Sequence, residues 1–334
     1  MRRARNIVIL VVLLFIAGVC LWVGAELRPP PRPPGKMLFR IPSDASAAQV
    51  ALRLQERGLI RNHRLFLIAA RVRGVDRKFR AGWYLIPGGL SALRLMDGLA
   101  SGRLKAPAIS VTLPEGLTNK EQARLFESAG LCSQEEFLKA AADSQAFKDV
   151  VRFPLPKGSL EGYLFPDTYL FERGTPPAKI VETMLRTFEK KAYLPLQEAF
   201  AKAPLRFEES VILASLVEAE ARVPHERPII AGVYLNRLRM GKRLECDATV
   251  QYALGERKKR LLYSDLEVQS PYNTYLHPGL PPGPICNPGL ASLQAAVKPA
   301  DVPYLYYVAR GDGSHIFSRT FSEHQRAIRE IRGR

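Results

Sequence analysis

The sequence predicts an α+β protein in which a membrane-spanning helix precedes a small strand–helix module and a larger mixed domain. Three observations carry this reading: an uncharged apolar run near the N-terminus, an internal repeat offset by 72 positions, and a change of character from about Phe153. With 334 residues, 47% of them apolar, the chain is long enough to bury a sizeable core and to form two or three domains.

The first element is the run from Ile7 to Ala25, preceded by Arg2, Arg3 and Arg5. As a helix rising about 1.5 Å per residue it reaches roughly 28 Å, close to one hydrocarbon thickness. A cleaved signal peptide also has a basic start and an apolar run, but its run is shorter and ends on small residues, where Leu21, Trp22 and Val23 stand here. The expectation is a cytoplasmic tail at 1–6, an uncleaved signal anchor at 7–25 and a body outside the cytoplasm. Arg28, Arg32 and Lys36 beyond the span weaken that charge bias. Residues 26–36 contain Arg-Pro-Pro-Pro-Arg-Pro-Pro, which favours extended polyproline II and reads as a stiff spacer.

The repeat follows. Ile41-Pro42 matches Leu113-Pro114, Ser46 falls on Thr118, Leu54 on Phe126, Gly58-Leu59 on Gly130-Leu131, and Leu65-Phe66 on Phe137-Leu138. Each copy reads as a short strand, a turn, a helix, a glycine stop and a second helix. Ser46 with Gln49, Thr118 with Glu121 and Ser133 with Glu136 form capping boxes, in which side chains satisfy orphan amides at a helix start. Gly58 and Gly130 suit the left-handed residue that ends a helix. Two copies are too few for a solenoid, so the reading is one small α+β module built from two related units. Between them Phe79–Ile86 is expected to be a strand, followed by a helix opened by Ser91. From Phe153 helices are expected near 176–192, 207–222 and 225–240, then an irregular stretch at 263–290, dense in Pro, Gly and Asn. So long a run without regular structure is usually functional or disordered, and its aromatic residues argue against disorder. A hairpin, Tyr304–Arg310 and His315–Ser318, and a helix begun by Thr320 close the chain.

The net charge of +17 favours an anionic partner. A body outside the cytoplasm excludes nucleic acid and leaves lipid headgroups or anionic wall polymers, beside the plain alternative of a solvated Arg-rich surface. Cys20 lies in the span, and Cys132, Cys246 and Cys286 show no C-x-x-C spacing, so neither a zinc knuckle nor a disulfide-dense scaffold is indicated. His225-Glu226-Arg227-Pro228 begins like an H-E-x-x-H site and breaks. No metal and no cofactor are expected.

The segment Ser210–Ala221 is apolar around most of its circumference, the mark of a buried helix, and two glutamates, Glu218 and Glu220, interrupt it. A carboxyl in an apolar pocket is suited to hold a proton near neutral pH, as a general acid for glycosidic cleavage must. The alternative is an ion pair of Glu218 with Arg222 one turn later. Periodicity does not choose between Glu218 and Glu220, which point to different sides. Glu161, with Asp167 nearby in a Gly/Pro-broken aromatic stretch, is a third candidate. A cysteine peptidase pairing Cys286 with His315 is a fourth reading, although nothing beside Cys286 is placed to activate its thiol.

Six segments then carry a resemblance: Glu161-Gly-Tyr-Leu-Phe-Pro-Asp-Thr-Tyr169, Leu213-Ala-Ser-Leu-Val-Glu218, Ala231-Gly-Val-Tyr-Leu-Asn-Arg-Leu238, Tyr272-Asn-Thr-Tyr275, Gly279-Leu-Pro-Pro-Gly-Pro-Ile-Cys-Asn-Pro-Gly289 and Gly313-Ser-His-Ile-Phe-Ser318. In this order they resemble the YceG-like (MltG-like) endolytic murein transglycosylase family over nearly the whole chain. The resemblance implies a single-pass protein of the bacterial inner (cell) membrane. It implies a LysM-like module at 37–108, the second repeat unit at 109–152 joining it to the catalytic domain, and a catalytic transglycosylase domain at 153–334. It places the catalytic glutamate at Glu218, in preference to Glu220, while Ala219 and Ala221 stand where many relatives have Lys and Thr. Glu161, Asn236, Arg237, Asn273 and Tyr275 become substrate-cleft candidates, with structural hydrogen bonds as the alternative for each. The implied substrate is the peptidoglycan glycan strand, cut internally to leave 1,6-anhydro-muramyl ends, in work alongside peptidoglycan synthases. The non-enzyme alternative is a membrane-anchored peptidoglycan-binding scaffold.

Overall fold

The structure, a computed structural model, describes residues 2–32, 35–258 and 260–333. Pro33 and Pro34 of the proline run lie outside them, as do the side chains of residues 2–5 with the arginines of the basic start. The chain divides into two compact units: Met1–Ile109 with Glu172–Gly174, and Ser110–Phe171 with Thr175–Arg334.

The first unit begins with helix α1, Arg2–Glu26, which over Asn6–Glu26 is long and apolar enough to cross a membrane. Its large apolar side chains from Ile7 to Trp22 are exposed. The chain beyond it does not leave as a free spacer. Ala92 donates its amide to the Leu27 carbonyl at 3.0 Å, and Arg61 clamps the Pro29 carbonyl at 2.9 and 2.7 Å.

Strand β1, Met37–Ile41, pairs antiparallel with β2, Gly82–Ile86, in the register Met37↔Ile86 to Ile41↔Gly82. Alternation turns Phe39, Ile41, Tyr84 and Ile86 inward, where helices α2 (Ala47–Glu56), α3 (His63–Val72) and α4 (Ala92–Ser101) bury Val50, Leu54, Phe66, Leu95 and Met96 against them. Each such side chain contributes roughly 1.5–3 kcal/mol by burial. The strand expected from Phe79 starts at Gly82, because Asp76–Lys78 forms a single 3-10 turn ahead of it.

The second unit opens on β3 (Ile109–Thr112), α5 (Asn119–Ser128) and α6 (Gln134–Ala141), the second copy of the repeat. Both copies have the expected capping boxes, and both first helices end alike. Gly58 and Gly130 sit at φ +66 and +69, and the following leucines bond back to Leu54 and Phe126 at 2.9 and 3.1 Å. One expectation is corrected: the two copies do not form one module. The first packs on β2 and α4 of its own unit, whereas the second pairs β3 with β4 (Thr168–Phe171) and packs α6 on α7 (Pro177–Phe188). Each copy exposes one apolar face, and different partners cover the two.

Past α7 a π-helical turn, Glu189–Tyr193, leads into α8, Leu194–Lys202. Pro195 has no amide to offer the ladder, and Leu194 bonds one residue farther back than usual, to Glu189. The next expected helices are α9 (Phe207–Glu220), apolar all round and packed on α8 and α10 (Arg227–Arg239), and α10 itself, entered through a turn at Pro224–Glu226. Two short helices are additions to the expectation: α11, Asp247–Leu254, and α12, Leu290–Val297, which packs along α9. Between them the irregular stretch holds a single 3-10 turn, Tyr263–Glu267. The hairpin β5 (Tyr306–Ala309) and β6 (His315–Ser318) pairs antiparallel, and α13 (Phe321–Arg332), capped by Thr320, packs on it.

Candidate active site

Helix α9 is buried from Ser210 to Val217, and its last turn brings Glu218 out of that core beside the start of two other helices. The Glu218 side chain is 6% exposed. Its Oε2 accepts the Gly289 amide at 3.0 Å, at the entry to α12, and its Oε1 meets Arg227 Nη2 at 3.4 Å, at the entry to α10. Arg227 is fixed by donating Nε to Ser292 Oγ of α12 at 3.0 Å. The ion pair considered with Arg222 is replaced by one with Arg227, because α9 stops at Glu220 and Arg222 is no longer one helical turn on.

A turn of the second repeat copy closes over this carboxyl. Gly116 has φ +78, a backbone conformation that asks for glycine, and it lies in contact distance of Glu218, a Cβ there standing 3.4 Å from Glu218 Cγ. Beside it, the end of the Glu115 side chain lies against Gly289, where a Cβ would overlap it. Glu115 as a residue is exposed, yet its carboxyl end is packed. Burial, then the nearby Glu218 charge, raise its pKa, and Arg227 opposes them.

Asn287 fixes the turn. Its backbone accepts from Gly116 N and donates to the Leu117 carbonyl, both at 2.9 Å. Its side-chain oxygen accepts the amides of Gly162 and Leu164 at 2.9 Å, and its Nδ2 donates to Leu117 O, Asn119 Oδ1 and Glu161 Oε1. Glu161, buried, also receives the Asn119 amide at 2.9 Å. Burial pushes its pKa up to about 8 against the lowering effect of that amide. It therefore braces the turn from behind.

The other candidates lie elsewhere. Glu220 borders a cavity of about 350 Å³ with Arg237, Asp247, Tyr275, Tyr307 and His315. Burial raises the Glu220 pKa, and Cys246 Sγ, 3.3 Å from its Oε1, counters in part. Tyr275 donates to Asp247 at 2.6 Å. Arg237, buried, pairs with Glu245 at 2.9 Å and donates to the carbonyls of Leu305, Arg243 and Leu244. Asn236 donates to Val302 and Tyr304 carbonyls, and fully buried Asn273 to those of Leu266 and Val268, holding the irregular stretch in shape. The structure thus assembles Glu218 with Glu115, Arg227 and Gly289, braced by Glu161, and ties Asn236, Arg237 and Asn273 into structural bonds. Cys286 and His315 do not pair: the thiol points to the Ser215 carbonyl at 3.3 Å, with its pKa pushed well up by burial, and His315 Nδ1 meets Glu226 at 2.6 Å.

Residues 39–330 match the model of the YceG-like family. The chain belongs to that family. The resemblance drawn from the six motifs is thereby borne out. A relative from Bacillus subtilis (strain 168) named endolytic murein transglycosylase is 32% identical over 330 residues, 94% of this chain and 90% of the relative. A relative of the same name from Streptococcus pneumoniae serotype 2 is 26% identical over 317 residues, 87% of this chain and 57% of its own length. A crystal structure of a YceG-like protein from Listeria monocytogenes superposes with a TM-score of 0.59 at 31% identity, covering 87% of this chain and 98% of that one. Within the family match, Glu115, Arg227, Asn287 and Ser292 are the site residues that reading the sequence passed over. A signal for Glu115 was present: Glu115-Gly116 stands where the first repeat copy has Ser43-Asp44.

Proposed function

We propose that the chain is an endolytic peptidoglycan lytic transglycosylase that cuts the bond from N-acetylmuramic acid to N-acetylglucosamine. The observation that carries this is Glu218: a nearly buried carboxyl at the meeting point of three helix ends, held by Gly289 and Arg227 and bordered by a glycine turn. The names of the Bacillus and Streptococcus relatives support the same chemistry. In the proposed step Glu218 gives its proton to the glycosidic oxygen as the bond to muramyl C1 breaks. The muramyl C6 hydroxyl attacks C1, Glu218 takes the hydroxyl proton, and a 1,6-anhydro ring closes. No water is consumed, so the second carboxylate nucleophile of retaining hydrolysis is not required. Arg237, whose guanidinium is bonded to Glu245 and three carbonyls, is proposed to hold the cavity wall, and Tyr275, bordering the cavity, to meet the glycan strand. Glu161, Asn236 and Asn273 are proposed to serve it by shaping the walls.

The reading extends to placement. The apolar helix is proposed as a single-pass anchor in the bacterial cell membrane with the body outside the cytoplasm, residues 37–108 as a LysM-like module, and peptidoglycan synthases as partners in releasing nascent strands. Full-length protein in detergent, given long uncrosslinked strands, should produce intermediate-length fragments early, each new muramyl end anhydro by mass spectrometry. Glu218→Gln should fold and lose at least about 10²–10⁴ in rate, the worth of a general acid–base group; Glu220→Gln should remain active. Reducing muramyl ends, or near-normal turnover by Glu218→Gln, would refute the proposal.

A further inference from the structure

The charge of the chain is unevenly spread. Residues 37–108 carry 13 Lys and Arg against 4 Asp and Glu, whereas residues 109–334 carry 30 against 27, so the part next to the apolar helix is the basic one. That part is also tied to the end of the helix. Leu27, the first residue after α1, packs against the core of the first unit and gives its carbonyl to Ala92, and Arg61, just ahead of α3, holds the Pro29 carbonyl. Three extended residues from the end of α1 reach at most about 11 Å, and a headgroup layer is roughly 5–8 Å deep. Arg61 is therefore held at the headgroup level, or just above it, of a membrane that α1 spans. From there a stripe runs along the outer face of α3. Arg64, Ile68, Arg71 and Val72 fall within about 100° of arc, turned away from the buried Phe66 and Ala70. Ile68 is 55% exposed, Val72 82%, and both arginines are exposed. Among the described residues no carboxylate pairs with Arg64 or Arg71, while Arg73, past the helix end, takes Asp97 at 2.9 Å.

We propose that this face of α3 docks on an anionic phospholipid surface around the anchor, with Arg64 and Arg71 on headgroup phosphates and Ile68 and Val72 at the acyl boundary. This rests on the reading of α1 as a spanning anchor given above. Arginines and apolar side chains sharing the outer face of one helix are what a helix lying in a membrane interface presents. A neutral glycan offers no charge to two unpaired guanidiniums, and an anionic wall polymer would match the charge but leave Ile68 and Val72 in water. A lipid surface satisfies both. Charge attraction fades within a Debye length, about 10 Å at 0.1 M salt, so it acts on groups already held near the surface. The Arg61–Pro29 clamp holds the start of α3 there. Val72 is about 16 Å farther along, and it meets lipid only if α3 lies along the surface instead of standing on it. The anchor fixes one point of the first unit, and a docked α3 fixes its tilt.

The test places full-length protein in vesicles of phosphatidylcholine, alone or with phosphatidylglycerol, and reads a nitrobenzoxadiazole probe on Val72→Cys. Cys20→Ala and Cys132→Ser leave only the buried thiols of Cys246 and Cys286 beside it. Both leaflets have one composition, so either direction of insertion offers α3 the same surface. Quenching of the probe by doxyl-labelled lipid should be at least about threefold greater with phosphatidylglycerol at about 0.1 M NaCl. Raising NaCl to about 1 M, where the Debye length is about 3 Å, should return it to the level of neutral vesicles. Arg64→Gln with Arg71→Gln should do the same at low salt; the salt arm alters no residue, so a misfolded variant cannot be mistaken for a released face. A probe left in water in both vesicles, or quenching indifferent to salt and to the arginines, overturns the docking. Displacement of the probe from lipid by a soluble glycerol phosphate polymer assigns the face to a wall polymer and overturns it too. An alkaline wash separates the premises. Protein stripped from the vesicles refutes the anchor and the docking with it, and protein retained with its probe in water refutes the docking alone.

Discussion

The two copies of the repeat share a plan and differ in one turn. After the strand, the first copy runs Pro42-Ser43-Asp44-Ala45-Ser46 and closes on itself, Ala45 donating to the Pro42 carbonyl at 3.3 Å. The second runs Pro114-Glu115-Gly116-Leu117-Thr118 and is closed from outside, by the backbone and side chain of Asn287. Strand, capping box and glycine stop are common to both, so they specify the local fold. The second copy adds a left-handed glycine, Gly116, in contact with Glu218, and a carboxyl, Glu115, that lies against Gly289.

The largest expected effect comes from exchanging the turns. Glu115→Ser with Gly116→Asp gives the second copy the first copy's residues, forces a residue with a side chain into φ +78 beside Glu218, and removes the carboxyl that lies against Gly289. The protein should fold and lose about 10² or more in anhydro-end formation, the scale of a misplaced reacting group. The reverse pair, Ser43→Glu with Asp44→Gly, should leave activity unchanged. Equal effects of the two exchanges would break the comparison.

Legibility in the sequence follows the range of the interactions. The caps and the glycine stops were legible because residues within five positions make them, and the hairpin because its pairs lie within twelve. Glu218 was legible as an apolar helix with a carboxyl and a family motif. The short helices α11 and α12 carry little periodicity: Leu-Ala-Ser-Leu-Gln-Ala-Ala-Val is buried on most sides, so no polar stripe marks it. Glu115 stayed hidden because its meaning depends on Gly289, which folding alone brings to it. Glu161 carried the right residue type for a cleft, and only its burial behind Asn119 and Asn287 distinguishes a brace from a wall.

That brace gives the next effect. Glu161 receives the amide of Asn119, the first residue of α5; the matching residue of the first copy is Ala47, the first of α2. A carboxyl raised from 4.5 to about 8 by folding binds its proton more tightly in the folded state. Its contribution is fully present below about pH 4.5 and is lost as pH rises through about 8. Denaturant melts of the wild type should therefore weaken over this window, and Glu161→Gln, which has no proton to lose, should flatten that slope. Hydrogen exchange should show the loosening at α5 and not at α2. Equal slopes for both proteins would remove the brace from the account.

The smallest effect tests whether the shared caps are equal. Ser46 and Thr118 each receive the amide three residues on, at 3.3 and 3.2 Å, and each gives its own amide to the returning side chain at 2.8 Å. Replacing either by alanine leaves the amide three residues on without its hydroxyl partner and should cost about 1 kcal/mol in its own unit. The consequences diverge at the third residue. Gln49 returns to Ser46, within the first unit. Glu121 also pairs with Arg257 at 2.9 Å, and Arg257 holds the Gly116 carbonyl at 2.6 Å, so loosening the Thr118 box reaches the turn on Glu218. Ser46→Ala should lower stability alone, and Thr118→Ala should lower stability by a similar amount and activity severalfold. Local hydrogen exchange at α2 and α5 measures the first quantity, because two compact units need not unfold in one transition. Anhydro-end release measures the second. If the two variants lose activity alike, the second copy's cap serves only its helix, and the turn is held by Asn287 without help from Arg257.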